Sequence, residues 1–361
     1  MNKGFTFQKI LIAPLDWGLG HATRCIPLIQ YFLSLNCNVT IAASVASKAL
    51  LKAEFPQLNF LDLNAYNIVY SREKRWMPFK ILLQTPKILK AVNAEHEWLK
   101  NLLVTQHFDA IISDNRYGFY AENIPSVFIT HQLQIKTTLN LAKNFTRKRT
   151  YKWINQFSEC WVPDFAEELN IAGSLSHPKT LPHIPVKYLG PVSRFKKKQT
   201  QKNLYKYLFI VSGPEPQRSI FGEKILSFAK TCKEKCLIVL GMPEKQKLAE
   251  ENNMYKIYNH LSTTELEDAF NASEYIVSRC GYTSVMEILS LQKKSILIPT
   301  PGQTEQEYLA THLMKQSWCY TFTQNENFAL HLNNAEQFKY NMPEINTHQF
   351  ETVLKEFIST L

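Results

Sequence analysis

The feature that most constrains the fold is an alternation that runs the length of the chain. Short apolar runs recur, and each is followed by a stretch in which apolar residues return every three or four positions. A strand buried on both faces must be apolar throughout, whereas a helix covering it needs only one apolar stripe. Alternation of the two predicts βαβ units and parallel sheets. In the first half, strands are expected over 9–14, 38–43, 60–63, 108–113, 127–130, 160–162 and 187–190. Helices are expected over 22–35, from Ser44 to Phe55, over 85–105 and over 146–157. Residues 195–202, Phe-Lys-Lys-Lys-Gln-Thr-Gln-Lys, are polar and charged and read as a linker. The pattern then restarts, with strands over 207–211, 236–240, 256–258, 275–278 and 295–298. The helices among them are expected over 217–232, 263–270, 283–291 and 305–315. With 361 residues, the chain divides into two α/β domains, 1–195 and 196–345, and a C-terminal helix, 346–361.

Charge separates the halves. Residues 1–195 hold 22 Lys and Arg against 13 Asp and Glu, and residues 196–361 hold 19 against 18. The first half therefore carries nearly all of the net charge of +10 and is expected to face an anionic partner. The segment 71–83 mixes Arg72, Lys74, Arg75 and Lys80 with Trp76, Met77 and Phe79, a combination suited to an anionic membrane surface. The run Arg147-Lys-Arg149 lacks a recognised nucleic-acid module around it, and no nucleic acid is expected as a partner. The seven cysteines include no Cys-x-x-Cys pair, which reads as free thiols in a reducing compartment. No run reaches the ~18 apolar residues of a membrane span, and no signal peptide is evident. A cytoplasmic protein is expected, peripheral at most on the inner face of the membrane.

Three loops at strand ends carry chemistry. The first is Asp16-Trp-Gly-Leu-Gly-His-Ala-Thr-Arg24. Gly18 and Gly20 permit a tight turn, and His21 falls in the first turn of the helix, facing the strand ends. Thr23 stands where a dinucleotide fingerprint has its third glycine. Asp114-Asn-Arg116 follows the strand over 108–113, where it fits either a cleft lining or an ordinary turn. The second loop is Ser278-Arg-Cys-Gly-Tyr-Thr-Ser-Val-Met-Glu287. Its Gly281 precedes a helix whose first N–H groups, at Tyr282 and Thr283, suit a diphosphate. Glu287, about one turn further on, has two oxygens for a ribose diol or is simply a solvated helix residue. The third is Pro299-Thr-Pro-Gly-Gln-Thr-Glu-Gln-Glu-Tyr308, a βα loop whose Gln306 and Glu307 suit sugar hydroxyls.

In this order and spacing, Arg279-Cys-Gly281, Glu287-Ile, Pro299 and Gln306-Glu-Tyr308 resemble the C-terminal half of the family-28, MurG-like glycosyltransferases. The Gly18-Leu-Gly-His21 loop and Phe128-Ile-Thr-His131-Gln132 resemble the glycine-rich loop and a histidine-bearing strand end of that family's first half. The resemblance implies a GT-B fold: α/β, two facing Rossmann-like domains with parallel sheets and an interdomain cleft. It implies that Glu287 holds the ribose, that Gly281, Tyr282 and Thr283 receive the diphosphate, and that Gln306 and Glu307 bind the sugar. The chain departs from the family at Ser212-Gly-Pro-Glu-Pro-Gln-Arg218, where Pro214 and Pro216 lack the N–H of a phosphate loop. Gly213 and a charge from Arg218 are left for the donor there. Gln132 stands where an acidic residue is common in the lipid-II-forming members. The stretch Gly20-His-Ala-Thr-Arg-Cys-Ile-Pro-Leu28 is also similar to UDP-sugar hydrolases of the same fold.

The expected reaction is glycosyl transfer from a nucleoside-diphosphate sugar, a UDP-sugar above all, with hydrolysis as the alternative. His21 is expected as the base, with Gly18, Gly20, Asp114 and His131 on the acceptor side. Arg218 or Arg279 would assist the leaving diphosphate. No cofactor beyond the nucleotide-sugar substrate is expected, and no metal, since no Asp-x-Asp pair occurs. The expected partners are that donor, a lipid-linked acceptor and an anionic membrane surface.

Overall fold

The computed structural model describes residues 7–66, 84–135, 140–167, 169–198, 203–213, 215–242 and 245–361. The whole of the 71–83 segment read as a membrane contact, including Arg72, Lys74, Arg75 and Trp76, lies outside these residues. The chain forms two compact units. One is the N-terminal part up to Val192 together with Asn346–Leu361; the other includes Ser193–Ile345.

The first unit is a parallel sheet of seven strands: β1 (Lys9–Pro14), β2 (Asn38–Ala43), β3 (Asn59–Asp62), β4 (Ala110–Asp114), β5 (Ser126–Ile129), β6 (Glu159–Val162) and β7 (Val186–Tyr188). Their order is β3-β2-β1-β4-β5-β6-β7. The helices interleaved among the described residues are α1 (Gly20–Ser34), α2 (Val45–Glu54), α3 (Thr85–Thr105) and α4 (Asn140–Ile154). The period of two along β1 shows how the sheet is covered. Ile10 and Ile12 pack with Ile26, Ile29 and Phe32 of α1 on one face. Leu11 and Ala13 pack with Leu99 of α3, Phe108 and Phe119 on the other. Each such side chain contributes about 1.5–3 kcal/mol on burial.

The second unit repeats the plan with β8 (Tyr205–Ile210), β9 (Cys236–Val239), β10 (Leu248–Glu251), β11 (Tyr255–Tyr258), β12 (Ser273–Ser278), β13 (Lys294–Leu297) and β14 (Tyr320–Thr321). The order is β10-β11-β9-β8-β12-β13-β14. All pairs are parallel except β10 with β11. Its helices are α5 (Gln217–Ala229), α6 (Thr263–Asn271), α7 (Tyr282–Ser290), α8 (Thr304–Lys315) and α9 (Phe328–Gln337). In each sheet the chain winds outward from its first strand one way, then returns to wind the other. The reversal falls between β1 and β4 in the first unit and between β8 and β12 in the second. In an open α/β sheet, the strand C-termini at such a reversal are where ligands bind.

Two junctions differ from what composition suggests. Lys196–Lys198, read as part of a free linker, lies along α6: Lys196 N donates to Glu267 (2.7 Å), and Lys198 N to Asn271 (3.1 Å). Phe195 is buried beside Phe270, with ring centroids 5.1 Å apart. The lysines are drawn to the acidic face of α6, where Lys198 pairs with Glu267 and Asp268. The last helix, α10 (Gln349–Ser359), belongs to the first unit, where Phe350, Leu354 and Phe357 join the core. Gly190 lets α10 approach. It has φ of +69°, and a Cβ there would meet Gln349 Oε1 at 2.8 Å.

Candidate active site

At the reversal of the first sheet, the last residues of β1 and β4 lie side by side, Pro14 opposite Asp114. The chain leaves β1 through Asp16-Trp-Gly-Leu and enters α1 at Gly20. Gly18, at φ +86°, makes the turn. His21 and Arg24 are three residues apart on α1 and therefore share a face, which points at Asp114. His21 Nδ1 is 2.9 Å from Asp114 Oδ1. Arg24 Nε donates to Asp114 Oδ2 at 2.9 Å, and its NH2 donates to Oδ1. The thiol of Cys25 reaches Oδ2 at 3.7 Å. From the end of β5, His131 places Nδ1 3.2 Å from Arg24 NH1. Asp114 and Arg24 are buried, while the His21 side chain keeps 14 % of its surface exposed. Burial would raise the Asp114 carboxyl, but Arg24 and then His21 overcome it and hold the group well below the usual carboxylate range. Asp114 is thus an anion, and His21 presents a ring edge outward.

The sequence points to His21, Asp114 and His131 separately, and the fold joins them. It gives no sign of Arg24 as their common partner, nor, beyond Asp114-Asn-Arg116 as a cleft-lining or turn segment, of the layer beneath. There Arg116, buried, donates from Nε to Pro14 O (2.8 Å) and from NH1 to Glu95 (3.1 Å). Glu95 also accepts from Tyr66 Oη and Gly118 N, both at 2.7 Å. Asp16 accepts from Tyr66 N at 3.0 Å and lies 3.5 Å from Arg116, so the turn after β1 is anchored from below.

The reversal of the second sheet is built differently. Gly213 (φ +108°) follows β8, and Gly281 is the N-cap of α7; a Cβ on either would meet nothing within 4 Å. The backbone at both strand ends faces open space. Arg279, between them, does not. The expectation that it assists a diphosphate is corrected: it is buried, and its guanidinium is held by the protein. NH2 donates to Gln217 O (3.0 Å) and Gln324 Oε1 (2.8 Å), NH1 approaches the carbonyls of Ile298 and Pro299, and the plane lies 4.0 Å from the Phe221 ring. Burial lowers its pKa to about 10. Gln306 accepts from Thr300 N (2.9 Å) and Glu307 from Gly302 N (3.1 Å), so these oxygens brace the loop before α8. Arg218 is paired with Glu215 (2.7 Å) and donates to Gly241 O (2.9 Å). Glu287 is no solvated helix residue. It is buried, and its Oε1 accepts from Arg194 Nε at 2.8 Å. Burial raises its carboxyl, with Arg194 opposing. Arg194 was another residue without a sequence signal. Among the described residues, no group of three or more His, Cys, Asp or Glu side chains is placed to hold a metal ion.

Residues 208–354 match the family described as "Glycosyltransferase family 28 C-terminal domain". That stretch of the second half is thus similar to the C-terminal domain of these glycosyltransferases. A stretch of 124 residues is 26% identical to the UDP-N-acetylglucosamine–N-acetylmuramyl-(pentapeptide) pyrophosphoryl-undecaprenol N-acetylglucosamine transferase of Buchnera aphidicola subsp. Schizaphis graminum. That match covers 33% of this chain and 34% of the relative, so the chain spans about a third of the length of the curated relative it matches. Over nearly its whole length the chain resembles solved structures. Acinetobacter baumannii MurG has a TM-score of 0.54 at 16% identity, covering 99% of this chain and 100% of that one. The glycotransferase of kitacinnamycin has 0.64 at 12%, covering 98% and 95%. Arabidopsis thaliana UGT89C1, complexed with UDP-L-rhamnose, has 0.63 at 13%, covering 97% and 94%. The fold is GT-B.

Proposed function

We propose that this protein transfers a sugar from a nucleoside-diphosphate sugar, a UDP-sugar, to an acceptor hydroxyl. The observation that carries the reading is the His21–Asp114 pair at the reversal of the first sheet, in a chain whose second half matches the family-28 C-terminal domain. His21 takes the proton of the acceptor hydroxyl. The freed oxygen bonds to the anomeric carbon as the bond from that carbon to the diphosphate breaks, and the nucleoside diphosphate leaves with the electron pair. Asp114, held ionised, stabilises the imidazolium that forms. On the donor side, the open backbone at Gly213 and Gly281 suits phosphate oxygens. Glu287, its Oε1 held by Arg194, would use Oε2 for the ribose.

A lipid-linked acceptor reached at a membrane surface is the finer reading. The name of the Buchnera relative, with its pyrophosphoryl-undecaprenol acceptor, and the basic first half support it. Among the described residues, no helix is long and apolar enough to cross a membrane, so contact with the inner face would be peripheral. Transfer is favoured over hydrolysis because the Buchnera and kitacinnamycin proteins are named as transferases. The test is nucleotide release from a panel of nucleotide-sugars, with and without extracted lipids. Release that requires lipid, with the sugar recovered on it, is expected; equal release in water alone would mean hydrolysis.

A further inference from the structure

The choice of His21 as base rests on the proposed transfer; how its ring is set beforehand does not. Asp114 receives four donors: Arg24 Nε (2.9 Å) and Cys25 Sγ (3.7 Å) at Oδ2, and Arg24 NH2 and His21 Nδ1 (2.9 Å) at Oδ1. That fills the roughly four acceptor positions of an ionised carboxylate. An ionised carboxylate only accepts, so His21 Nδ1 carries a proton and the lone pair of the neutral ring stands at Nε2. Arg24 NH2 is also 3.1 Å from His21 Nδ1. That guanidinium N–H competes with Asp114 for Nδ1, and the anion at the shorter distance decides the tautomer. If Nδ1 instead accepted from Arg24, its lone pair would face the Asp114 anion at 2.9 Å with no proton between them. His131 is in the opposite position. Its Nδ1 faces Arg24 NH1 at 3.2 Å, and a guanidinium has five N–H groups, no lone pair and a permanent charge. Nδ1 of His131 must accept, which leaves its proton on Nε2.

We propose that Arg24 is a positioning residue that fixes His131 protonated at Nε2, the tautomer opposite to the one Asp114 fixes in His21, which is protonated at Nδ1 with Nε2 as proton acceptor. The Gln132 amide, 3.4 Å from His131 Nε2, accepts that N–H with its oxygen turned to the ring.

The test is long-range proton–nitrogen correlation NMR on the full chain with labelled histidine, near neutral pH, with the two rings assigned through His21→Gln and His131→Gln. The expected spectrum of the unaltered protein shows His21 protonated at Nδ1 only and His131 at Nε2 only. In Arg24→Gln, His131 is expected to relax to a mixture of tautomers; Arg24→Lys, which keeps the charge, should partly restore the single form. Both rings in the same tautomer, a doubly protonated His21, or a His131 pattern unchanged in Arg24→Gln would overturn the proposal. If Arg24→Gln does not fold, the unaltered protein and Arg24→Lys still decide. Opposite tautomers in a protein without transferase activity would leave this inference standing and overturn the proposed function.

Discussion

The two sheet reversals use the same topology in different ways. In the first unit, side chains do the work: His21, Arg24, Asp114 and His131 converge on one point, and the carboxylate at its centre is saturated with donors. In the second, the charged side chains mostly serve the protein. Arg279 holds carbonyls, Glu307 braces a loop and Arg218 is offset by Glu215, while the backbone at Gly213 and Gly281 faces open space. A proton acceptor needs a ring whose protonation is fixed, which demands a built cluster. A diphosphate needs N–H donors and room, which a strand end and a helix N-terminus supply without side chains.

The largest effect should come from His21. His21→Ala is expected to lower turnover by roughly 10²–10⁴-fold, the worth of a positioned base, measured as nucleotide release at saturating donor. A loss under tenfold would reduce His21 to a helix-start residue and erase the contrast between the units.

Asp114→Asn should cost about 3–5 kcal/mol of stability, because Arg24 is left as a buried charge without its partner. The pH sign follows from the depressed carboxyl. Its stabilisation is complete above the unfolded value of about 3.9 and is lost as pH falls from there through the lower folded value. Acid titration of stability in the Asn variant should therefore be flatter over that range. An unchanged acid limb would mean that the cluster contributes little.

Arg279→Gln separates a structural cation from a ligand-binding one. The substitution should destabilise the protein by about 1–3 kcal/mol through the carbonyls left unpaired, while nucleotide affinity in the folded fraction stays within a factor of two or so. A selective loss of affinity with stability intact would return Arg279 to the donor site. Gly281→Ala should show the reverse. Its φ of −79° suits alanine and the added Cβ meets no protein atom, so stability should change by no more than about 1 kcal/mol, within the usual range for a lost cap. Nucleotide binding should nonetheless weaken if the diphosphate lies against that backbone.

How much of this was legible in the sequence follows from what burial does to composition. Central parallel strands such as β1 and β12 are continuous apolar runs, and their bounds are readable to within a residue or two. The edge strand β10, Leu-Ala-Glu-Glu, is exposed throughout and carries no such run; its pairing with β11 alone makes it a strand. The helix α9 was missed as well, though Asn327 caps it. At the site, His21 and Asp114 are 93 residues apart, so only the strand order β1–β4 could join them. Glu95 and Arg194 left no signal, and Arg24 and Arg116 none beyond their place in a motif, because a charge in sequence reads as solvent-facing until a partner from another element is in place. For Arg279 the motif gave only its place in the loop; the direction of the side chain depends on Phe221 and Gln324, which lie far away in the chain.

The division of labour between the units is tested most directly by calorimetric titration of UDP into the unaltered protein, His21→Ala and Glu287→Gln, with thermal unfolding of each followed in parallel. We expect UDP affinity to be unchanged in His21→Ala. In Glu287→Gln it should fall by about 1.5–3 kcal/mol, the scale of a hydrogen bond to a charged group, beyond what any loss of folded protein accounts for. Weakened binding in His21→Ala together with unaltered binding in Glu287→Gln would contradict the assignment of the donor to the second unit.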